Sequence, residues 1–175
     1  MLLSMAASLA QTSVGIKGGV NFANIGGDAK GTDMRLGLHA GFFASTSLAG
    51  NFGFQPEVLY SQQGFKYSDN NKAIYHYINV PLMFKFTMIE GLHLQAGPQV
   101  GYLLSARQRI GNTITVQTGS FNRFDAAVGL GLGYDFSDFQ VSARYNLGLT
   151  DTRDSDQKGV SYPNNVIQLS LGIRL

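Results

Sequence analysis

From Asn165 to Leu175 the chain alternates. Ile167, Leu169, Leu171, Ile173 and Leu175 fall on one side, and Gln168, Ser170, Gly172 and Arg174 fall on the other. Period two predicts a β-strand with one apolar and one polar face. Earlier stretches repeat the pattern. Ile16, Val20 and Phe22 alternate with Lys17, Gly19 and Asn21, and Leu36 to Leu48 with Gly37, His39 and Ser45. Phe52 to Tyr60 alternate with Gln55, Glu57 and Ser61, and Ile78 to Phe86 with Tyr77, Asn79 and Lys85. Leu92 to Leu104 alternate with His93, Gln95, Gln99 and Ser105. Phe124 to Tyr134 alternate with Asp125, Gly129, Gly131 and Gly133, and Phe139 to Leu149 with Gln140, Ser142, Arg144 and Asn146. The total is about eight strands, each able to cross a bilayer, for which about 9–11 tilted residues suffice.

Alternation alone fits two architectures: a membrane barrel with its apolar face to lipid, or a soluble calyx of the lipocalin type with that face inside. Charge separates them. Only 14% of the 175 residues are charged, against about 25% in ordinary soluble domains. Lys17, Glu57, Lys85, Asp125, Arg144 and Arg174 all share a face with the small and polar residues, and none falls on the Phe/Leu/Val face. A Lys or Arg facing lipid at the midplane costs about 2–4 kcal/mol. A calyx would turn these charges outward, as a soluble protein should; against it stand the low charge content, the long-short alternation of the connections and the apolar C-terminus. The expected fold is therefore all-β, an eight-stranded antiparallel up-and-down transmembrane β-barrel.

Connection lengths add an independent signal. Gly26–Met34, Gly64–Ile74, Ala106–Asn122 and Asp151–Asn164 are read as long loops; Ala49–Asn51, Met88–Gly91 and Asp135–Asp138 are short. Outer-membrane barrels have short periplasmic turns and longer external loops, so an even strand count places both termini in the periplasm. Tyr60, Tyr75, Tyr77, Tyr102 and Phe124 near the long loops, and Phe52, Phe86, Tyr134, Phe136 and Phe139 near the short turns, suggest two aromatic girdles. Residues 1–10 end in Ser8-Leu9-Ala10 and are read as a signal-peptide remnant, either truncated or preceded by an earlier start because no positive segment opens it. Residues 11–175 then form one barrel domain. The absence of cysteine excludes disulfides and thiolate metal sites.

Five stretches carry a family likeness: Gly15–Asn24, Phe54–Gly64, Tyr77–Leu82, Gly97–Tyr102 and Ala143–Leu149. With them the chain resembles the outer-membrane β-barrel proteins of Bacteroidetes-type bacteria, the PorT-like family. The resemblance covers nearly all of residues 11–175 and implies an outer-membrane barrel. The name-giving member is associated with type IX secretion and gliding, a role that no residue here specifies. Leu175 departs from the terminal Phe common in such barrels but keeps its apolar character, so Ile167, Leu169, Leu171, Ile173 and Leu175 are read as the assembly signal.

Candidate chemistry is sparse. His39 and His93 face inward with Ser45, Ser61, Ser105, Ser142 and Ser170, which any polar lumen also contains. No His pair has metal-ligand spacing, and the Asp151–Asp156 run lacks the Gly and closing Glu of a calcium loop. Gly129, Gly131 and Gly133 repeat within a strand, open no helix, and make room for larger side chains across a narrow lumen. Glu57 and Arg144 are placed in a central interior charge network with Lys17, Lys85, Asp125 and Arg174. Phe43, Leu59, Met83 and Leu103 on the same face argue against a wide pore. Arg107, Arg109 and Arg123 form a basic cluster near one loop, which reads either as a solvated loop or as a contact for the anionic headgroups of lipopolysaccharide.

The expected function is a non-enzymatic scaffold acting through its external loops, with a small channel and a lipid-modifying barrel enzyme as alternatives. No cofactor is expected. The expected partners are outer-membrane lipid and lipopolysaccharide, the barrel-assembly machinery and an envelope protein complex; a net charge of +2 gives no reason to expect nucleic acid.

Overall fold

The computed structural model describes residues 12–25, 33–68, 71–116, 122–150 and 163–175. The predicted export signal at 1–10 and the Asp151–Asp156 run lie outside the described residues. Among the described residues nine strands form: β1 Thr12–Ile25, β2 Asp33–Ser47, β3 Phe52–Ser68, β4 Asn71–Ile89, β5 Leu92–Ile110, β6 Thr113–Val116, β7 Phe124–Phe136, β8 Phe139–Gly148 and β9 Asn164–Arg174. Every pairing is antiparallel. The sheet runs β4-β3-β2-β1-β9-β8-β7-β5-β6, and β4 also pairs with β5. That last pairing closes eight strands into a barrel, leaving β6 as a short appendage on β5. β1 and β9 pair continuously from Gly15↔Arg174 to Ile25↔Asn164, so no open edge remains in the wall.

The alternation settles which face is which. Phe42, Phe84, Val100, Leu130, Leu132 and Leu169 are exposed on the outer surface, while Lys17, Gln55, Glu57, Gln95, Gln140 and Arg144 are buried within. A water-soluble calyx would show the reverse. Leu59, Met83 and Leu103 are fully buried inside as well, and Phe43 nearly so.

Two predicted loops carry strand in their described residues. Within Gly64–Ile74, β3 continues to Ser68 and β4 starts at Asn71; within Ala106–Asn122, β5 runs on to Ile110 before turning into β6. Gly111 opens that turn with φ 58°, the left-handed geometry that a two-residue hairpin needs and glycine supplies without strain. β3, β4 and β5 are therefore 17, 19 and 19 residues long, against 10 and 11 for β8 and β9. One wall rises far above the other. We call this the tall end, and the end with the short connections the turn end.

A bulge adjusts the face of β5. His76 pairs with Ser105 but Tyr77 with Leu103, so Leu104 is unmatched. Ser105, expected inside, lies with His76 on the outer face. The girdles need the same correction. Tyr60, Tyr102 and Phe124 are exposed at the tall end, and Phe52, Phe86, Tyr134, Phe136 and Phe139 at the turn end. Tyr75 and Tyr77 are instead buried inside with Phe65, Ala73, Leu103 and Ala106, forming an apolar cap beneath the tall wall.

Candidate functional site: the filled lumen and the tall wall

Glu57 sits at the centre of the lumen. Lys17 Nζ donates to its Oε1 at 2.6 Å, Arg144 Nη1 to Oε2 at 3.1 Å, and Arg144 Nη2 to Oε1 at 2.9 Å. Arg144 Nη2 also donates to Gln95 Oε1 at 2.8 Å. Around the barrel these four residues come from β1, β3, β5 and β8, every second strand of the closed wall. Side chains from alternate strands thus fill one cross-section, as expected in a barrel only eight strands wide.

A second layer lies toward the turn end. Gln55 Nε2 donates to Glu57 Oε1 at 2.8 Å and to Gln140 Oε1 at 3.0 Å; Gln140 returns a bond to Gln55 Oε1 at 3.1 Å. Lys85 Nζ bridges Gln55 Oε1 at 3.1 Å and Asp135 Oδ2 at 2.9 Å, while Gln140 Nε2 reaches Asp135 Oδ1 at 2.8 Å. Arg174 Nη2 closes the series on Asp135 Oδ2 at 2.7 Å. The connected groups hold four cations, Lys17, Lys85, Arg144 and Arg174, against two carboxylates, Glu57 and Asp135. Glutamine carbonyls supply further acceptors to Lys85 and Arg144, which lets the cations stay buried without one carboxylate each.

Toward the tall end the side-chain bonds run between neutral groups, and Arg35 Nη1 donates to the Gln63 carbonyl oxygen at 2.9 Å. Asn21 Nδ2 donates to Ser61 Oγ at 2.9 Å and Gln63 Nε2 donates to the same oxygen at 3.0 Å; Asn164 Nδ2 donates to Gln63 Oε1. The apolar cap of Phe65, Tyr75, Tyr77 and Leu103 follows. Asp125 lies apart from the other interior charges. Its Oδ1 accepts from Thr150 Oγ1 at 2.6 Å, and among the described residues no cation bonds to it. Asp135, Gln55, Gln95 and Gln140 were not singled out as network members in the sequence. Gln55, Gln95 and Gln140 sit on the polar parity of their strands, and that signal was available. Asp135 shares this parity but stands at the turn, where a carboxylate reads as solvated.

The glycines of β7 accept the neighbouring side chains. A Cβ on Gly129 would lie 2.8 Å from Asn146 Oδ1 and 3.2 Å from Arg144 Cδ, and one on Gly133 would strike the His93 ring.

Among the described residues the inward histidines form no hydrogen-bonded Ser–His–carboxylate triad. His39 Nε2 lies 2.9 Å from Ser170 Oγ, but its Nδ1 has no hydrogen-bond partner among the described residues. His93 Nδ1 contacts Gly91 O at 3.3 Å. Both rings are buried. Ser–His chemistry needs a carboxylate or equivalent on the second ring nitrogen and a path for substrate. Among the described residues no group of three His, Asp or Glu side chains is arranged to hold a metal.

The basic cluster is dispersed along the tall wall. Arg107 and Arg109 are exposed on the outer face of β5, above the bulge. Arg109 Nε donates to Gly111 O at 3.0 Å. Arg123 precedes β7 at the level of the girdle, where its Nη1 donates to Tyr102 Oη at 3.2 Å. The strand pairing adds two cations that the sequence did not point to. Lys66 pairs with Lys72, and Lys72 with Arg109. On β9, Leu169 and Leu171 are well exposed on the outside, Ile167 and Ile173 are partly so, and Leu175 lies just past the strand.

Solved barrels share this architecture. Neisserial surface protein A superposes with a TM-score of 0.66 at 11% identity, covering 94% of this chain and 99% of that one. Ail, the attachment invasion locus protein of Yersinia pestis, superposes with a TM-score of 0.59 at 16% identity, again covering 94% and 99%. At such identities the likeness is one of fold. No curated protein matches the sequence. The family model described as "Outer membrane protein beta-barrel domain" matches residues 9–154, and with the outward apolar face and the closed eight-stranded wall this means that the chain belongs to the outer membrane protein beta-barrel domain family and resides in the bacterial outer membrane.

Proposed function

We propose that this protein is a non-enzymatic outer-membrane scaffold of the PorT-like kind, with a sealed lumen and a recognition surface on the tall wall. The observation that carries the reading is the cross-section at Glu57. Lys17, Glu57, Gln95 and Arg144 bond across it from four alternate strands, and the apolar cap closes the lumen a second time. A barrel filled in this way offers solutes no path. Its outward investment is in height: β3, β4 and β5 are nearly twice as long as a membrane crossing requires.

The short connections define the periplasmic side. Thr12 and Leu175, the first and last described residues, lie at that side, and β3, β4, β5 and β6 project from the cell. The outward face of β9 acts as the signal read by the barrel-assembly machinery, and an envelope protein complex is the expected assembly on the tall wall.

Two measurements test this. Purified protein in planar bilayers should give no unitary current steps; reproducible steps would replace the scaffold with a channel. An epitope inserted after Asn112, in the β5–β6 turn, should be labelled on intact cells, while one at Ser137 should be labelled only after the outer membrane is opened. The opposite labelling would reverse the orientation.

A further inference from the structure

The lumen network leaves Asp125 out. It follows Phe124 at the start of β7, just inside the tall-end girdle, and is only 8% exposed. One of its oxygens accepts from the Thr150 hydroxyl, and among the described residues no lysine, arginine or histidine forms an ion pair with it. A carboxylate withdrawn from water is kept charged by a paired cation or a bound metal ion.

Register sets a second oxygen beside it. Asn79 on β4, Gly101 on β5 and Asp125 on β7 lie side by side on the inner face. Gly101 has no side chain, so its neighbours share the space above it. A Cβ there would lie 2.7 Å from Asn79 Oδ1 and 3.4 Å from Asp125 Cβ. Asn79 is 3% exposed, and its Oδ1 has no hydrogen-bond partner among the described residues. A buried amide oxygen thus leans over Gly101 toward the side of a buried carboxylate. Two acceptors placed in this way repel unless a donor or a cation joins them. Tyr77 Cδ1 stands 3.4 Å from the same Cβ position, so the apolar cap roofs the space. Gln99, the next inward residue of β5, is also buried and brings another amide alongside.

Donor chemistry selects the ligand. Carboxylate and amide oxygens suit hard cations, whereas transition metals favour nitrogen and sulfur. Calcium takes about six to eight oxygens, commonly with several carboxylates among them. Beside the single carboxylate here a divalent ion would keep a net positive charge in a buried place; a monovalent ion is neutralised by Asp125 alone. We propose that Asp125 and Asn79, on either side of Gly101, bind a monovalent alkali cation just inside the tall rim of the barrel, with Gln99 as a further oxygen ligand. Asp125 lies six residues toward the tall end from Gly131, the partner of Arg144, so the ion enters above the Glu57 cross-section and needs no path through the barrel.

The test is the urea unfolding of the refolded full chain in phosphatidylcholine bilayers, with sodium chloride exchanged for N-methylglucammonium chloride at constant ionic strength. Above the dissociation constant, the folding equilibrium constant should rise roughly tenfold for each tenfold rise in sodium, the slope of one bound ion. In Asp125→Asn the new amide can donate to Asn79 Oδ1. This variant should ignore sodium and, in sodium-free buffer, be at least as stable as the wild type, whereas a merely structural aspartate would lose stability in both buffers. Asn79→Leu keeps the carboxylate and should need roughly tenfold more sodium for the same response, the loss of one partner to a charged group. A heat-shifted gel band checks that each variant is folded. In crystals of the wild type grown with thallous acetate, an anomalous peak should stand between Asn79 and Asp125. No sodium response in the wild type, an undiminished response in Asp125→Asn, or a thallous peak elsewhere in the lumen would overturn the proposal. So would a midpoint that follows pH and not sodium, since a proton on Asp125 would then join the two oxygens.

Discussion

Arg144 on β8 grips Glu57 on β3 through two hydrogen bonds, at 3.1 and 2.9 Å, across the full width of the barrel. Three strands lie between β3 and β8 in either direction around the wall. The pair is therefore a strut between opposite sides, and Lys17 adds a third attachment from β1.

Removing either end of a buried ion pair leaves the other charge stranded, which costs about 3–5 kcal/mol. Glu57→Ala and Arg144→Ala should each lower the unfolding free energy of the bilayer-inserted protein, measured by urea titration, by an amount in that range, with a matching fall in the urea midpoint. Their double mutant should fall well short of the sum, because the second removal relieves the charge that the first exposed. Unchanged midpoints in the single variants would dismiss the strut.

The neutral part of the network should matter less. Gln140 links Gln55 to Asp135 but carries no charge. Gln140→Leu leaves unpaired polar groups worth about 1–3 kcal/mol, so its midpoint should fall by less than that of Glu57→Ala. An equal or larger loss would mean that Gln140, and not Glu57, organises the lumen.

Depth in the bilayer gives a separate prediction. Leu130 lies mid-strand on the outside of β7, whereas Leu48 lies at the turn end just past β2; both are exposed. Leu130→Arg should cost about 2–4 kcal/mol and Leu48→Arg about 0–1 kcal/mol, as measured by reversible unfolding in bilayers. Similar costs at the two sites would place the membrane elsewhere.

Gly129 tests the packing of the lumen. Arg144 and Asn146 occupy the space that any side chain at 129 would need. Gly129→Val should destabilise the barrel by about 1–3 kcal/mol, the usual penalty of overpacking. Gly50→Ala, in an open turn where a Cβ meets nothing within 4 Å but φ is 57°, should cost about 1 kcal/mol. Equal unfolding midpoints for Gly129→Val and wild type would show free volume at that level.

The barrel was legible because lipid enforces parity: one misplaced residue per strand turns a charge into the membrane, so the alternation of Lys17, Glu57 and Arg144 with their apolar neighbours is strict. Above the membrane that constraint lapses. The polar stretches 64–74 and 106–122 read as loops by composition, although Ile110-Gly111-Asn112-Thr113 carries a hairpin signal, a two-residue Gly-Asn turn between alternating arms. Tyr75 and Tyr77 illustrate the same limit, since an aromatic near a strand end reads as girdle until register shows that it points inward. Register also decides which charges meet. Lys17, Glu57 and Arg144 were recognisable as interior residues, but their bonding through Gln95 and Gln55 depends on strand stagger. The row of Lys66, Lys72 and Arg109 depends on pairing across three strands.

Heat modifiability tests the central claim, a closed membrane barrel with its polar face inside. The chain would be refolded in detergent and run on a denaturing gel with and without boiling. The account predicts that the unboiled protein migrates at a different position and converts to the unfolded position on boiling. Identical migration, from a protein that stays folded and soluble without detergent, would mean that the apolar face is the inner one, and would contradict the account.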